Sequence, residues 1–153
     1  MIRSVFIAAA LALSPLTACA QTPAPVPVTT EAPLAGKKLV VFVKTDAIRQ
    51  AGMGLHLARS AARKGAGVTV IFGADGVTYP QKDIDQAVFE ATGETPRKMI
   101  GDILAAGGDV YVCKLCTIWL ELESDDFIDG VEIVTSMAIF DALFADGAQS
   151  LEF

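Results

Sequence analysis

Two cysteines three residues apart, Cys113 and Cys116, are the side chains of this sequence best suited to covalent chemistry. A thiolate is the nucleophile of thiol–disulfide exchange, and cysteines at this spacing can close a small disulfide ring. Lys114 lies between them and adds a positive charge that favours a thiolate. The pair therefore predicts redox or sulfur chemistry; the alternatives are inert packing of the thiols and a purely structural disulfide.

Other chemistries lack the residues that they need. One Cys-x-x-Cys pair supplies two zinc ligands, whereas the sequence has no second pair and a single histidine. Thr117 occupies the position after Cys116 where a c-type haem motif has histidine. We accordingly expect no metal site and no cofactor, and Cu(I) binding by the two thiolates is a third alternative for the pair.

The pair lies in an alternating pattern of strands and helices. Five short runs rich in β-branched and aromatic residues are predicted strands: 39–43, 68–72, 109–113, 131–134 and 150–153. Helical spacing begins near Asp46, Thr95 and Ser136, and the last helix presents an apolar stripe. That stripe consists of Met137, Phe140, Leu143 and Phe144. The order predicts a three-layer α/β/α fold with a mostly parallel five-stranded sheet, in which Cys113 ends the third strand.

Ligands of parallel sheets bind in the crevice beyond the carboxyl ends of the strands. The loop after the second strand reaches the same edge as the cysteines, so Gly73, Asp75 and Tyr79 are candidate lining residues of the site. Lys114 and Trp119 are further candidates because they flank the pair along the chain. For Trp119 the alternative is a position in the core.

The composition limits the classes of partner. The chain has 153 residues, of which 52% are apolar and 20% charged, and its net charge is −6. These values predict one folded domain and exclude extensive disorder, and the negative charge argues against nucleic acid as a ligand. An acidic cluster follows the cysteines: Glu121, Glu123, Asp125, Asp126 and Asp129. We interpret it as a solvated surface, with a cation site or a basic partner as the alternative.

The N-terminal segment predicts export. An apolar run from Val5 to Leu13 follows one positive charge, as in a secretory signal, and it is too short to span a bilayer. Leu16-Thr17-Ala18-Cys19 resembles a bacterial lipobox. We predict a signal peptide over 1–18, a lipidated Cys19 with a proline-rich tether over 19–36, and a domain over 37–153. The protein would then be anchored in the envelope, on the periplasmic face of the outer membrane in a Gram-negative cell; ordinary signal cleavage is the alternative.

Several segments, in a fixed order, resemble one known family. They are the strand 38–43, the helix end and strand 64–72, Gly108 to Cys113 with Cys116 three residues later, 127–131 and the closing turn and strand 146–153. These segments are similar to the DsrE/DsrF-like family, which includes small α/β domains of intracellular sulfur oxidation and peroxiredoxin-related proteins. The resemblance implies a five-stranded parallel fold that commonly oligomerises, and a sulfur relay through a persulfide at the position of Cys113.

With the resemblance, the cysteine pair predicts an envelope-anchored DsrE-like protein that performs thiol chemistry, as a sulfur relay or persulfide carrier or by thiol–disulfide exchange. Cys113 would be the nucleophile or sulfur acceptor and Cys116 the resolving thiol, in a sulfurtransferase or a thiol-redox protein. The expected partners are a thiol or persulfide donor or acceptor protein, the lipid membrane through Cys19, and further copies of the chain. The alternative is a non-catalytic oligomeric binding or scaffold module with a structural disulfide.

Overall fold

The five predicted strands form one parallel sheet. The computed structural model describes residues 32–153. Within them lie β1 (Lys38–Val43), β2 (Gly67–Phe72), β3 (Asp109–Cys113), β4 (Val131–Val134) and β5 (Ala148–Glu152). The strand order is β4-β3-β2-β1-β5, and every neighbouring pair is parallel. The α/β fold with a parallel five-stranded sheet is thus confirmed.

Four helices connect the strands: α1 (Ile48–Arg63), α2 (Pro96–Ala105), α3 (Lys114–Trp119) and α4 (Ser136–Leu143). Thr95 caps α2 as its position before Pro96 indicates, because its hydroxyl accepts a 3.3 Å hydrogen bond from the Lys98 amide. The chain leaves α1 through Gly65, whose φ of +87° is a conformation that glycine adopts at little cost.

The path of the chain places the helices on two faces of the sheet. From β1 to β4 each strand adds to the same side of the previous one, and right-handed crossovers then place the connections on one face. Leu55 of α1, Met99 of α2 and Phe127 of the segment after α3 are fully buried there. The return from β4 to β5 reverses direction, so α4 covers the opposite face, where Ile139 packs against Val40 and Ile71.

Most of the apolar stripe predicted for α4 faces away from the sheet, and only Leu143 packs against the cluster of Val40, Ile71 and Ile139. Ile139 is the buried residue of this helix, whereas Met137, Phe140 and Phe144 are 65%, 49% and 81% exposed. Leu143 is half-buried. Because α4 is apolar on both sides, the spacing of its apolar residues alone does not distinguish the inner side from the outer one.

Arg59 is an unexpected charged residue inside the α1–α2 interface, since it is only 5% exposed. Its guanidinium donates hydrogen bonds to Glu94 Oε2 at 2.5 Å and to Asp102 Oδ2 at 3.1 Å. Arg63 Nη2 donates to the same Asp102 oxygen at 2.9 Å, and Lys98 donates to the other oxygen. The buried positive charge is therefore paired, and the network holds α1 against α2.

The amino end of the described chain is attached at the amino edge of the sheet. The Leu34 amide donates a 2.9 Å hydrogen bond to the Lys64 carbonyl after α1, and Leu34 packs against the core. The predicted signal peptide, Cys19 and most of the tether lie outside the described residues. Among residues 32–153, no helix has the length and apolar character needed to cross a bilayer.

Candidate functional site

Cys113 and Cys116 lie together at the carboxyl edge of the sheet. Cys113 is the last residue of β3 and the residue that precedes α3, and Cys116 lies in the first turn of α3. Both are half-buried free thiols. Cys113 packs against the cluster of Val40, Ile71 and Ile139 on the α4 face, whereas Cys116 packs against the core on the α1–α2 face. The pair thus spans the edge of the sheet.

The loop after β2 supplies a hydrogen-bond donor to the Cys116 sulfur. The Ala74 amide donates to Cys116 Sγ over 3.1 Å. Ala74 has a φ of +44°, in the left-handed region that residues with a Cβ rarely adopt. Because a backbone donor carries no side-chain signature, the sequence did not identify Ala74, although Gly73 and Asp75 were predicted at this place.

Two glycines allow this loop to lie close to β1 and to Cys116. A Cβ on Gly73 would lie 2.9 Å from Phe42 Cε2 and 4.0 Å from Cys116 Sγ. A Cβ on Gly76 would lie 2.3 Å from the Val43 carbonyl oxygen, a separation that backbone atoms do not tolerate. Gly73 therefore lies beside the Cys116 sulfur, and Gly76 fixes the loop that carries the Ala74 donor.

The pKa of the Cys116 thiol is raised by its surroundings. Burial raises the pKa of Cys116 above its ordinary value, and both a hydrogen bond with Cys113 and the negative charge of the Cys113 thiolate raise it further. The hydrogen bond from Ala74 lowers the pKa of Cys116 and offsets this only in part. The pKa of Cys116 therefore depends on its neighbour Cys113 as well as on burial.

The other predicted site residues differ in their exposure and in the contacts that they make. Lys114 and Asp75 are exposed at the same edge, on α3 and in the 3-10 turn Ala74–Thr78. Tyr79 is buried, and its hydroxyl donates to the Asp46 carbonyl oxygen at 2.5 Å. Burial raises the pKa of Tyr79 to about 12, so this hydroxyl is a structural donor that joins two loops. Trp119 is 81% exposed and therefore does not belong to the core.

Metal donors are sparse around the pair. In the described part of the chain, no three His, Cys, Asp or Glu side chains converge in a group that could hold a metal ion. Within residues 32–153, a Cu(I) ion at the pair would thus have no third His, Cys, Asp or Glu ligand.

Comparisons with known proteins agree with this fold. The model of the DsrE/DsrF-like family matches residues 36–153. Among solved structures, the ychN protein of E. coli is 21% identical with a TM-score of 0.65, and the match covers 76% of this chain and 98% of that one. A search of the curated proteins found no match.

Two further solved structures share the fold. One is a protein of unknown function from Methanobacterium thermoautotrophicum, 12% identical with a TM-score of 0.62, covering 76% of this chain and 99% of its own. The other is a conserved protein of unknown function from Bacteroides thetaiotaomicron, 15% identical with a TM-score of 0.59, covering 76% and 95%. At these identities the likeness establishes the fold and leaves the chemistry to the residues of the site.

Proposed function

This chain belongs to the DsrE/DsrF-like family, and from that premise we propose that it carries out thiol chemistry with Cys113 as nucleophile or sulfur acceptor and Cys116 as resolving thiol. The family supports a sulfur-relay or thiol-related function. The observation that carries the finer assignment is the 3.1 Å hydrogen bond from the Ala74 amide to Cys116 Sγ, made by a loop that lies against that sulfur. A purely apolar packing role for Cys116 would not need this donor.

In thiol–disulfide exchange, the Cys113 thiolate attacks one sulfur of a partner disulfide, whose other sulfur leaves as a thiolate and takes a proton. Cys116 then loses its proton and attacks the Cys113 sulfur, which closes the Cys113–Cys116 disulfide and releases the second partner thiolate. The partner disulfide is reduced by two electrons and the cysteine pair is oxidised by two. Burial and the neighbouring Cys113 raise the pKa of Cys116, a direction that suits the thiol that reacts second.

In a sulfur relay, the Cys113 thiolate attacks the outer sulfur of a donor persulfide. The donor sulfur leaves as a thiolate with the electron pair of the broken S–S bond, and Cys113 becomes a persulfide with no net oxidation. An acceptor thiolate then takes the outer sulfur from Cys113 in the same way. The geometry of the pair supports either reaction.

Intact-mass analysis distinguishes these reactions. The wild-type chain is mixed with a persulfide donor and, separately, with an oxidised dithiol peptide. A mass gain of one sulfur atom on Cys113 supports the relay, and the loss of two hydrogen atoms across the pair supports exchange. Cys113→Ser should abolish both products, and Cys116→Ser should trap the mixed disulfide on Cys113. If wild-type thiols resist both reagents and alkylation, the non-catalytic binding module with a structural Cys113–Cys116 disulfide is the better assignment.

The proposal includes lipid anchoring through Cys19, which rests on the lipobox-like sequence. Leu34 is held at the amino edge of the sheet, whereas the cysteine pair lies at the carboxyl edge. A tether that enters there would leave the thiols facing away from the membrane, toward soluble partners. Protein extracted from membranes should carry a diacylglyceryl mass on an N-terminal Cys19, and Cys19→Ala should abolish it.

We also propose that copies of the chain associate through α4. Its outer side carries Met137, Phe140 and Phe144, and the last two rings lie 6.2 Å apart between centroids. A helix that is apolar on both sides is the pattern of a helix buried between two layers. The sheet supplies one layer, and the proposed second copy supplies the other.

A further inference from the structure

The outer side of α3 is apolar, the reverse of an ordinary surface helix. Leu115, Ile118 and Trp119 are 59%, 61% and 81% exposed, and their spacing of three and four residues places them on one side. Thr117 is buried on the inner side. We call Leu115, Ile118, Trp119 and the neighbouring Leu120 the α3 outer face. Contiguous exposed apolar side chains of this kind mark interaction sites.

A groove of about 550 Å³ runs beside this face. Ile118, Leu122 and Ile133 supply its apolar lining, and Glu123 and Asp125 supply carboxylates. The groove also touches Lys114, the residue directly after Cys113. A chain segment bound in it would therefore lie beside the residue that directly follows Cys113.

The charge around the α3 outer face is strongly negative. Glu121, Glu123 and Asp125 are exposed and form no salt bridge with any residue of the described part. Over 109–153 the sequence has ten acidic residues and one basic residue, Lys114. A second copy would bring the same negative charge to this face, so self-association is disfavoured here and a positively charged surface is favoured.

Resting on the proposed thiol function, we infer that the α3 outer face and its groove dock a partner protein whose reactive cysteine is flanked by basic and apolar residues. Trp119 is the anchor, because an exposed tryptophan can bury a large rigid surface and such residues dominate binding energy at interfaces. The carboxylates steer the basic residues, and the docked segment presents its sulfur to Cys113.

Three peptides of equal length test this inference. Each carries one cysteine as a mixed disulfide with thionitrobenzoate, flanked by leucine and by lysine, glutamine or glutamate. The full chain with Cys19→Ala is used so that thionitrobenzoate release reports only the pair. We expect the lysine peptide to react about tenfold or more faster than the glutamate peptide at low salt, with the difference shrinking as salt screens the charges. Equal rates for the three peptides would overturn the docking surface.

Two sets of variants separate docking from thiol reactivity. Glu121→Gln with Glu123→Gln and Asp125→Asn should remove the preference for lysine, yet leave the rate with dithiodipyridine, a small neutral disulfide, unchanged. Trp119→Ala should slow the lysine peptide about tenfold, whereas Phe144→Ala, on α4 and equally exposed at 81%, should leave it unchanged. Equal effects of these two substitutions would count against the α3 outer face.

Binding can also be followed without any reaction. Trp119 is the only tryptophan of the chain, so its fluorescence reports contact at the α3 outer face. The protein carries Cys113→Ser and Cys116→Ser, and alanine replaces the cysteine of each peptide, so that no thiol reaction occurs. A shift of the fluorescence spectrum with the lysine peptide, and not with the other two peptides, supports docking. If the thiols of the wild-type pair do not react with dithiodipyridine, that result contradicts the thiol function but not the docking surface. If the thiols react but the fluorescence spectrum does not shift and the three peptides react at equal rates, only the docking surface is contradicted.

Discussion

The Ala74 amide donates a 3.1 Å hydrogen bond to Cys116 Sγ from a backbone with a φ of +44°. A residue with a Cβ loses about 1–2 kcal/mol in the left-handed region relative to ordinary conformations. The close packing of Gly73 and Gly76 holds the loop in place nonetheless. The thiol site therefore includes a backbone donor that is held in a strained conformation by its neighbours.

Ala74→Gly should stabilise the protein by up to about 1 kcal/mol, because glycine adopts a positive φ without the Cβ penalty. The amide is kept, so the reactivity of Cys116 should not change. Urea denaturation gives the free energy of unfolding. The control is Ala105→Gly in the last turn of α2, which should destabilise by about 0.5–1 kcal/mol. Similar losses for both variants would show that Ala74 is not strained.

Gly76→Ala should destabilise by about 1–3 kcal/mol or more, since its Cβ would meet the Val43 carbonyl oxygen at 2.3 Å. Gly101→Ala provides a matched control in α2, where nothing lies within 4 Å of the added Cβ. That substitution should stabilise by about 0.5–1 kcal/mol, because alanine favours a helix over glycine. Thermal and urea unfolding measure both; a tolerated Gly76→Ala would contradict the close approach of the loop.

The sheet could be predicted from the sequence because strands buried on both faces are continuous apolar runs, as in 39–43 and 68–72. The cysteine pair was likewise placed at the end of β3 from its position after such a run. The Ala74 donor could not be predicted, because any residue has an amide and only the loop path aims it. The outer sides of α3 and α4 were also missed, since apolar spacing identifies a stripe without saying what covers it.

Asp102 should make stability depend on pH. Hydrogen bonding from Lys98, followed by that from Arg59, lowers the pKa of Asp102 below its ordinary 3.8 despite burial. A lowered pKa in the folded state stabilises above the unfolded-state pKa, and this contribution disappears as the pH falls through the folded-state value. The difference in unfolding free energy between wild type and Asp102→Asn should be constant from about pH 5 to 7 and shrink below about pH 4.

The exposed Asp146 offers a control for this titration, since it forms no salt bridge within residues 32–153. Asp146→Asn should change the unfolding free energy by no more than about 0.5 kcal/mol at any of these pH values. Urea titrations at each pH give both differences. If the Asp102→Asn difference did not shrink in acid, the ion-pair network would not be responsible for it.

Removal of the Cys113 sulfur should lower the pKa of Cys116. Burial raises the Cys116 pKa in every variant, but Cys113→Ala removes the added increase due to the hydrogen bond and charge of Cys113. Alkylation of Cys116, resolved by peptide mass spectrometry, should therefore reach its half-maximal rate at a lower pH in Cys113→Ala than in wild type. An unchanged or higher midpoint would show that the two thiols are not coupled.

The exposed side of α4 gives the prediction for self-association. Phe140→Ser with Phe144→Ser should lower the oligomeric fraction in sedimentation experiments, because these side chains are 49% and 81% exposed in the single chain. Their removal should cost the folded monomer less than the loss of a fully buried side chain, since about half of Phe140 and most of Phe144 is exposed within it. Ile139→Ser is the opposite control: it removes a residue buried against the sheet and should destabilise the monomer itself by about 2–4 kcal/mol. If the double variant Phe140→Ser with Phe144→Ser sediments with the same mass distribution as the wild type, α4 is not the contact between copies.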